Sequence, residues 1–478
     1  MQRPRRGKLS ARPQVDVGGR LIAVSNRVSR PSGGSAPGGL ALALGEALGE
    51  RGGTWIGWSG ETTRRAQEQR LELTRSNGVL YGLLDLAEDD FHGFYEGYAN
   101  GVLWPVFHDR PDLADHSHEA FESYAAVNRA FARSVASVAA PGDVVWVHDY
   151  HFLLLAEALR EEDVAATVGL FLHTPFPHGQ AFRTIPEVER IARALMAFDV
   201  VGVQTRRDAR HLAESLASLA EGSARDDGDR FAVAAWGQSL TVRARSIGID
   251  PAAIRRERDA AVSDEVRRYR ESLAGRFSLI GVDRLDYSKG LPQKLDAFHT
   301  YLRNDPDRAA DTVLTQIAPI SRGTVPAYVA TRREVETIAG RIAGQFGSLT
   351  GAPLRLLTRA YPRRAVAQLM ATSDAALVTP TADGMNLVAK EFVAVQDPKD
   401  PGVLVLSEFA GAAEDMTDAL LVNPRDIDGV AAAIDAARAM PLAERRERHA
   451  RLAEVVEDTA ISRWAIRCQE DLAEAAQP

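Results

Sequence analysis

The chain has 478 residues, which is more than one hydrophobic core usually supports, so at least two domains are expected. Its formal net charge of −8 argues against nucleic acid as a partner, and no apolar run reaches the roughly 18 residues that a membrane span requires. The single cysteine, Cys468, excludes an internal disulfide and a cysteine-based zinc cluster, so a cytoplasmic location is expected.

The chain starts with a basic, proline-containing stretch, and we predict a disordered tail over residues 1–20 because no apolar segment of a signal peptide follows it. Short apolar runs then alternate with stretches rich in Ala, Leu and Arg that have helical character. The first series of runs is "RLIAVSNRV" (20–28), "DVVWVHDYHFLLL" (143–155), "TVGLFLHTPFP" (167–177) and "DVVGVQT" (199–205).

A second series of apolar runs is "FSLIGVDRLDYSKG" (277–290), "TVLTQIAP" (312–319), "APLRLLTR" (352–359), "DAALVTP" (374–380), "GVLVLSEFA" (402–410) and "ALLVNP" (419–424). Continuous Val, Ile and Leu runs separated by helices predict parallel strands buried on both faces, in an α/β fold. We predict two Rossmann-like, doubly wound domains at 21–250 and 251–450, divided where Pro251 ends a strand and a charged helix begins. An amphipathic helix within 451–478 is predicted to close the fold.

Ligands of open α/β sheets bind outside the carboxyl ends of the strands, so site residues are expected just after the predicted strands. In the first domain, Arg27 follows a strand, and Gly38 and Gly39 offer a backbone that a phosphate or sugar can approach. Tyr95 precedes Trp104, which stands before a proline in a segment predicted to be irregular. These two aromatic side chains suit either a sugar ring or the core.

The run "VWVHDYH" ends in four polar residues, 148–151, which is costly in a buried strand unless they face a site. Asp149 is the predicted carboxylate that holds an acceptor hydroxyl. His173 ends the next strand in the same way. We do not expect a metal site here, because these histidines show no i, i+4 pair and no third ligand.

Lysine is rare in this chain: of the 57 Lys and Arg residues, five are lysines, at positions 8, 289, 294, 390 and 399, so 52 are arginines. Lys289 lies on a turn, one residue before a glycine. A compact ammonium beside a bare backbone turn suits a phosphate oxygen, whereas a solvated surface lysine is the alternative. Arg284 and Arg322 also follow predicted strands of the second domain.

The segment "TPTADGMNLVAKEF" (379–392) leads from a buried strand through Asp383 into a helix that starts near Asn386. The N–H groups at the start of that helix form an anion site. Glu391 can accept hydrogen bonds from a ribose diol, and Asp383 can hold sugar hydroxyls or, alternatively, cap the helix. With no Ser–His–Asp order and no P-loop motif, these residues suit two phosphorylated ligands, one of them a nucleoside-diphosphate sugar.

Nine long motifs occur between residues 20 and 475: "VSNRV", "GGTWIGWSGET", "NGVLWPVFH", "WVHDYH", "LHTPFP", "RLDYSKGLP", "TQIAPISRG", "DGMNLVAKEF" and "VLSEFAGAAE". In these motifs the chain resembles the retaining trehalose-6-phosphate synthases. The resemblance implies the GT-B glycosyltransferase fold, in which two Rossmann-like domains face each other across a cleft. It also implies transfer of glucose from a nucleotide-glucose to glucose 6-phosphate, without a metal or another cofactor, to give α,α-trehalose 6-phosphate.

The resemblance also implies roles for individual residues. The glucose 6-phosphate site would consist of Arg27, Tyr95, Trp104, Asp149 and Arg322. The donor site would consist of Gly38, Gly39, His173, Arg284, Lys289, Tyr361, Asp383, Gly384, Met385, Asn386, Leu387, Val388 and Glu391. The residues closest to the chemistry would be Asp149, His173, Arg284, Lys289 and Asp383.

Several alternatives stay open at this point. UDP-glucose is expected ahead of GDP- and ADP-glucose, although residues 356–364, near which the base would bind, do not identify it. Another phosphorylated acceptor, as in glucosylglycerol-phosphate or pseudo-sugar synthases, is the enzymatic alternative, and a sugar-phosphate sensor is the non-enzymatic one. The expected partners are small-molecule substrates, without nucleic acid or membrane, and assembly into homodimers or homotetramers is left open.

Overall fold

The structure is a computed structural model that describes residues 19–28, 44, 48, 52–64, 70–273, 275–321, 325–349 and 351–477. Most of the predicted tail therefore lies outside the described residues. Arg20, the last residue of the predicted tail, forms an ion pair with Asp143, with 2.7 Å between Arg20 Nη2 and Asp143 Oδ2.

The first sheet has ten strands in the order β3-β4-β2-β1-β5-β6-β7-β10-β9-β8. The strands are β1 (Leu21–Arg27), β2 (Thr54–Thr63), β3 (Leu71–Ser76), β4 (Val79–Ala87), β5 (Val144–His148), β6 (Thr167–Phe171), β7 (Val200–Val203), β8 (Ser223–Asp226), β9 (Arg230–Ala235) and β10 (Gln238–Ala244). The four predicted runs fall on β1, β5, β6 and β7, which pair in parallel and are almost entirely buried.

The edges of this sheet differ from the prediction of a wholly parallel sheet. At one edge β3 pairs with β4 in antiparallel fashion, and at the other β8, β9 and β10 form an antiparallel meander. Edge strands have a solvated face, so their sequences lack the continuous apolar runs of central strands. All four residues of β8 are exposed, for example.

The second sheet has six strands in the order β13-β12-β11-β14-β15-β16, and every pairing is parallel, as predicted. The strands are β11 (Phe277–Val282), β12 (Thr312–Ile317), β13 (Leu354–Leu357), β14 (Ala375–Val378), β15 (Val403–Ser407) and β16 (Leu420–Val422). Each lies within one of the six predicted runs, because strands that are buried on both faces need apolar side chains at successive positions.

The helices associated with the first sheet include a π-helix, α2, between two short α-helices. They are α1 (Glu88–Phe91), α2 (His92–Leu103), α3 (Trp104–Phe107), α4 (His118–Ala136), α5 (Leu155–Glu161), α6 (Gly179–Phe182), α7 (Val188–Leu195) and α8 (Arg206–Leu219). The prediction that residues 100–107 are irregular is therefore wrong. Pro105 lies in the first turn of α3, where a helix tolerates proline.

The remaining helices accompany the second sheet and the return of the chain to the first. They are α9 (Pro251–Asp259), α10 (Asp264–Leu273), α11 (Leu291–Asn304), α12 (Arg308–Asp311), α13 (Pro326–Phe346), α14 (Arg363–Met370), α15 (Leu387–Val395), α16 (Ile427–Ala439), α17 (Leu442–Asp458) and α18 (Ile461–Ala475). Asp250 caps α9, as its side chain accepts a hydrogen bond from Ala253 N. None of these described helices, nor those of the first half, combines the length and apolar composition needed to cross a membrane.

The last helix, α18, packs on the first sheet, so the chain passes between the two halves twice. Trp464 is buried, with ring centroids 5.3 Å from Trp146 of β5 and 5.0 Å from Phe171 of β6. The Lys390 Nζ donates to Ser246 Oγ at 3.0 Å and to Thr459 Oγ1 at 3.0 Å, and therefore holds both crossing segments together.

We expect Trp464→Ala to lower the free energy of unfolding by about 3–5 kcal/mol, because it leaves a cavity between α18 and the first sheet. Denaturant titration followed by circular dichroism measures this change. Leu73→Ala is the control, because the Leu73 side chain is 48% exposed and should change stability little. Equal effects of the two substitutions would contradict the packing role of Trp464.

Candidate functional site

A cavity of about 440 Å³ lies between the two halves of the chain, at the carboxyl ends of strands β11 and β14; we call it the interdomain cavity. Its walls also include Gln204 and Ile247 from the first half and the crossing segment. Nine predicted donor-site residues line it: His173, Arg284, Lys289, Tyr361, Asp383, Met385, Asn386, Leu387 and Val388.

Lys289 is placed in this cavity by a tight turn after β11. The turn ends at Gly290, whose φ of 62° suits glycine and whose added Cβ would lie 2.5 Å from Thr379 O. The Lys289 Nζ is 2.5 Å from Asp383 Oδ2, which also accepts from Asn386 Nδ2 at 3.0 Å. The ammonium is therefore held in place before any ligand arrives.

The Asp383 carboxylate is charged, although burial acts to raise its pKa. The ammonium of Lys289 outweighs burial and holds the pKa of Asp383 below its ordinary value. Asp383 does not cap the helix that follows. The cap of α15 is Asn386, whose Oδ1 accepts from Ala389 N at 3.3 Å.

A second carboxylate, that of Asp286, is fully buried and stabilises the same turn. It accepts hydrogen bonds from Ser288 N at 3.0 Å and Tyr328 Oη at 3.1 Å, and Arg284 Nη2 lies 3.9 Å away. Burial acts to raise the pKa of Asp286, but Lys289 and its other neighbours hold it below the ordinary value. The fully buried Asp286 and the largely buried Asp383 thus balance the cations Lys289 and Arg284.

The two halves of the chain touch at Gly384, where a Cβ atom would lie only 2.2 Å from His173 O. Within the first half of the chain, His173 N donates to Asp149 Oδ1 at 3.2 Å, and His173 Nε2 lies 3.3 Å from His148 Nδ1. Burial lowers the pKa of His173 to about 3, so its ring is neutral at physiological pH.

None of the four predicted acceptor-site residues that the structure describes lines the interdomain cavity, but two of them contact residues that do. Asp149 contacts His173, and the Trp104 ring centroid is 5.7 Å from the guanidinium carbon of Arg284. Tyr95 stacks between other rings of the first domain, and the exposed Arg27 lies 5.6 Å from the Trp58 ring centroid.

Glu391 lies on α15, where Arg363 Nη2 is 3.1 Å from its Oε1. Burial raises the pKa of Glu391, and Arg363 opposes that change. Tyr361 forms part of the cavity wall, and its hydroxyl accepts a hydrogen bond from Arg359 Nε at 2.9 Å. Tyr361 therefore lines the interdomain cavity, whereas Glu391 and Arg363 do not.

Some predicted residues are outside the described part of the chain, and some relevant ones were not predicted. Gly38, Gly39 and Arg322 belong to the first group. Asp286 and Arg363 belong to the second. The only sequence signal for Asp286 is its place in "DRLDYSKG", whereas Arg363 is one of many arginines.

The sequence model of glycosyltransferase family 20 matches residues 25–474. The chain belongs to this family. It is 41% identical over 455 residues to a trehalose-6-phosphate synthase of Salmonella paratyphi B, with 95% of each chain covered.

Solved structures of the family have the same fold, the GT-B arrangement of two Rossmann-like domains. A structure from E. coli bound with UDP-2-fluoro glucose superposes with a TM-score of 0.90 and 38% identity, covering 95% of this chain and 99% of that one. An α,α-trehalose-phosphate synthase (UDP-forming) from Burkholderia xenovorans in complex with glucose-6-phosphate superposes with a TM-score of 0.89 and 39% identity, covering 95% and 100%.

We expect the buried His108 to make stability depend on pH between about 6.5 and 4. Burial lowers its pKa to about 4 in the folded chain. Below the unfolded value of about 6.5 the unfolded chain binds the additional proton, so folding stability falls as the pH falls, by about 2 kcal/mol at pH 5.

The measurement is the free energy of unfolding at pH 7 and pH 5 for the wild type and His108→Asn, whose amide can still donate to Trp104 O. The variant should lose less stability between these pH values than the wild type. His118→Asn, at the exposed start of α4, serves as control and should keep the wild-type difference. An unchanged difference in His108→Asn would rule out the buried neutral ring.

Proposed function

We propose that this protein is a retaining glucosyltransferase that transfers glucose from UDP-glucose to glucose 6-phosphate, forming α,α-trehalose 6-phosphate and UDP. The observation that carries the proposal is the interdomain cavity, where Arg284, Lys289 and the start of α15 converge. The names of the relatives and the ligands of the two solved structures support the same reaction.

The donor diphosphate would lie between two groups of the protein that attract anions. Arg284 and Lys289 follow β11 on one side, and the first N–H groups of α15, which lack intrahelical acceptors, lie on the other. Because Asp383 already fixes the Lys289 ammonium, binding of the diphosphate requires little reorganisation. Glu391 would accept hydrogen bonds from the ribose, and the base would lie against the wall that contains Tyr361.

The His173 ring would hydrogen-bond a hydroxyl of the donor glucose, because a neutral imidazole has one donor and one acceptor nitrogen and a hydroxyl can pair with either. Asp149 accepts a hydrogen bond from His173 N, and its carboxylate would hold an acceptor hydroxyl next to the donor sugar. Arg27 and Arg322 would bind the phosphate of the acceptor, and Tyr95 and Trp104 its sugar. Gly38 and Gly39 would close on the donor.

The reaction would be a front-face displacement. The bond from the anomeric carbon to the diphosphate oxygen breaks while the bond to the acceptor oxygen forms on the same face. The proton of the acceptor hydroxyl passes to the leaving diphosphate oxygen. Arg284 and Lys289 would stabilise the negative charge that develops there, and no metal or other cofactor is required in this scheme.

We expect purified protein to release UDP and form trehalose 6-phosphate from UDP-glucose and glucose 6-phosphate, without added metal. Parallel assays with GDP- and ADP-glucose measure the donor preference, and a chelator tests the metal. Faster turnover with GDP-glucose would overturn the choice of UDP but keep the reaction.

Replacing glucose 6-phosphate with glycerol phosphates tests the acceptor. Product from those compounds but not from glucose 6-phosphate would contradict the proposed acceptor. A folded protein that binds nucleotide but forms no product with any pair would contradict the assignment as an enzyme and favour a sensor.

We expect Lys289→Ala to lower kcat about 100- to 1000-fold, with a change of less than about tenfold in KM for the donor, because the ammonium stabilises charge that develops in the transition state. Lys399→Ala is the matched control, since Lys399 is an exposed lysine far along the chain. Steady-state kinetics with varied donor separate the two constants. A raised donor KM with normal kcat would show that Lys289 only binds the ground state.

A further inference from the structure

A second cavity of about 620 Å³ lies at the amino edge of the second sheet; we call it the amino-edge pocket. Three arginines line it: Arg270 of α10, Arg276 before β11, and Arg438 of α16. The carboxylates in its wall are Asp311 and Asp374.

The amino-edge pocket is separate from the interdomain cavity. It adjoins Phe277, the first residue of β11, whereas Arg284 follows the last residue of the same strand. A strand of six residues spans about 20 Å, so the two cavities lie at opposite ends of the sheet.

Both carboxylates of the pocket are already engaged. Asp311 binds Arg438, with 3.0 Å between Nη1 and Oδ1 and 2.5 Å between Nη2 and Oδ2. Asp374 Oδ2 accepts from Ser278 N and Ser278 Oγ, each at 2.7 Å. Arg438 therefore neutralises the charge of Asp311, whereas Asp374 keeps its negative charge in the pocket wall.

Arg270 and Arg276 have no carboxylate partner among the described side chains. Arg276 Nη2 donates to Ser272 O at 2.9 Å, and Arg270 Nη2 is 3.5 Å from Gln368 O. The Nε of Arg270 is buried and makes no hydrogen bond. A buried donor of this kind is costly unless a ligand or water accepts from it.

A further cation, Arg355, increases the positive charge around Arg276. Its Nη1 donates to Ser272 Oγ at 2.8 Å, so Ser272 binds both arginines. Burial and the neighbouring Arg276 lower the pKa of Arg355 below its ordinary value. Arg276 and Arg355 therefore repel each other. This is unusual in a protein with a net charge of −8, because most of the other described arginines, for example Arg438 and Arg451, pair with carboxylates.

We propose that the amino-edge pocket binds the phosphate group of a small phosphorylated ligand through Arg270 and Arg276. A phosphate oxygen accepts from the unused Nε of Arg270, and the remaining N–H groups of Arg276 form the fork that suits a phosphate. This site is independent of the proposed glucosyl transfer, since it lies at the other edge of the sheet.

The first test locates an anion directly, by soaking crystals of the full chain with tungstate as a phosphate mimic. We expect an anomalous peak within hydrogen-bond distance of the Arg270 and Arg276 guanidinium groups, and its loss in Arg276→Gln. No peak in the amino-edge pocket, or a peak that persists in Arg276→Gln, would overturn the proposal.

The second test measures affinity in solution, as the rise in Tm with inorganic phosphate, for the wild type, Arg276→Gln and Arg333→Gln. Arg333 is an exposed arginine of α13 and serves as the matched control. We expect Arg276→Gln to show a smaller phosphate-dependent rise in Tm than the wild type, with the remainder due to the proposed substrate sites, which also bind phosphate, whereas Arg333→Gln matches the wild type.

The Tm of Arg276→Gln in the absence of phosphate distinguishes a binding role of Arg276 from a structural role. Because Arg276→Gln removes the repulsion with Arg355, its Tm without phosphate should equal or exceed that of the wild type. A lower Tm without phosphate, together with an unchanged phosphate response, would show that Arg276 only supports the fold. A tungstate peak with identical phosphate responses in all three proteins would mean an adventitious ion only.

Discussion

The close approach of Gly384 to the His173 backbone is the constraint on which the candidate site depends. At this point the two sheets meet through main-chain atoms, and any side chain at position 384 would push them apart. Because both sheets present the carboxyl ends of their strands here, His173 from one half lines the same cavity as Lys289 and Asp383 from the other, and Asp149 contacts His173.

At three of the five lysine positions, the structure explains why the residue is lysine and not arginine. Lys289, Lys294 and Lys390 are largely or fully buried, and each makes short, specific contacts. Lys294 pairs with Asp283 at 2.5 Å, next to the interdomain cavity, whereas Lys390 binds neutral oxygens where the chain crosses between halves. A narrow ammonium on a flexible stem fits these sites, and the wide guanidinium of arginine does not.

Sequence patterns predicted β1, β5, β6, β7 and all strands of the second sheet, because strands that are buried on both faces have continuous apolar sequences. They missed the edge strands β3 and β8, whose side chains are mostly exposed, and also the interior strands β2, β4, β9 and β10. They also missed the helical character of 100–107. A π-helix has no simple apolar period, and a proline in the first turn of the helix after it resembles a loop signal.

By itself, the sequence determined the fold class, the order of the central strands along the chain and the positions of polar residues at strand ends, since these follow from local burial and turn chemistry. The resemblance of its motifs then indicated the family. Only the tertiary structure decided that Lys289 pairs with Asp383, that Asn386 and not Asp383 caps α15, and that α18 returns to the first sheet. These contacts join residues far apart in the chain, and their distances depend on how the two sheets pack, which no local pattern encodes.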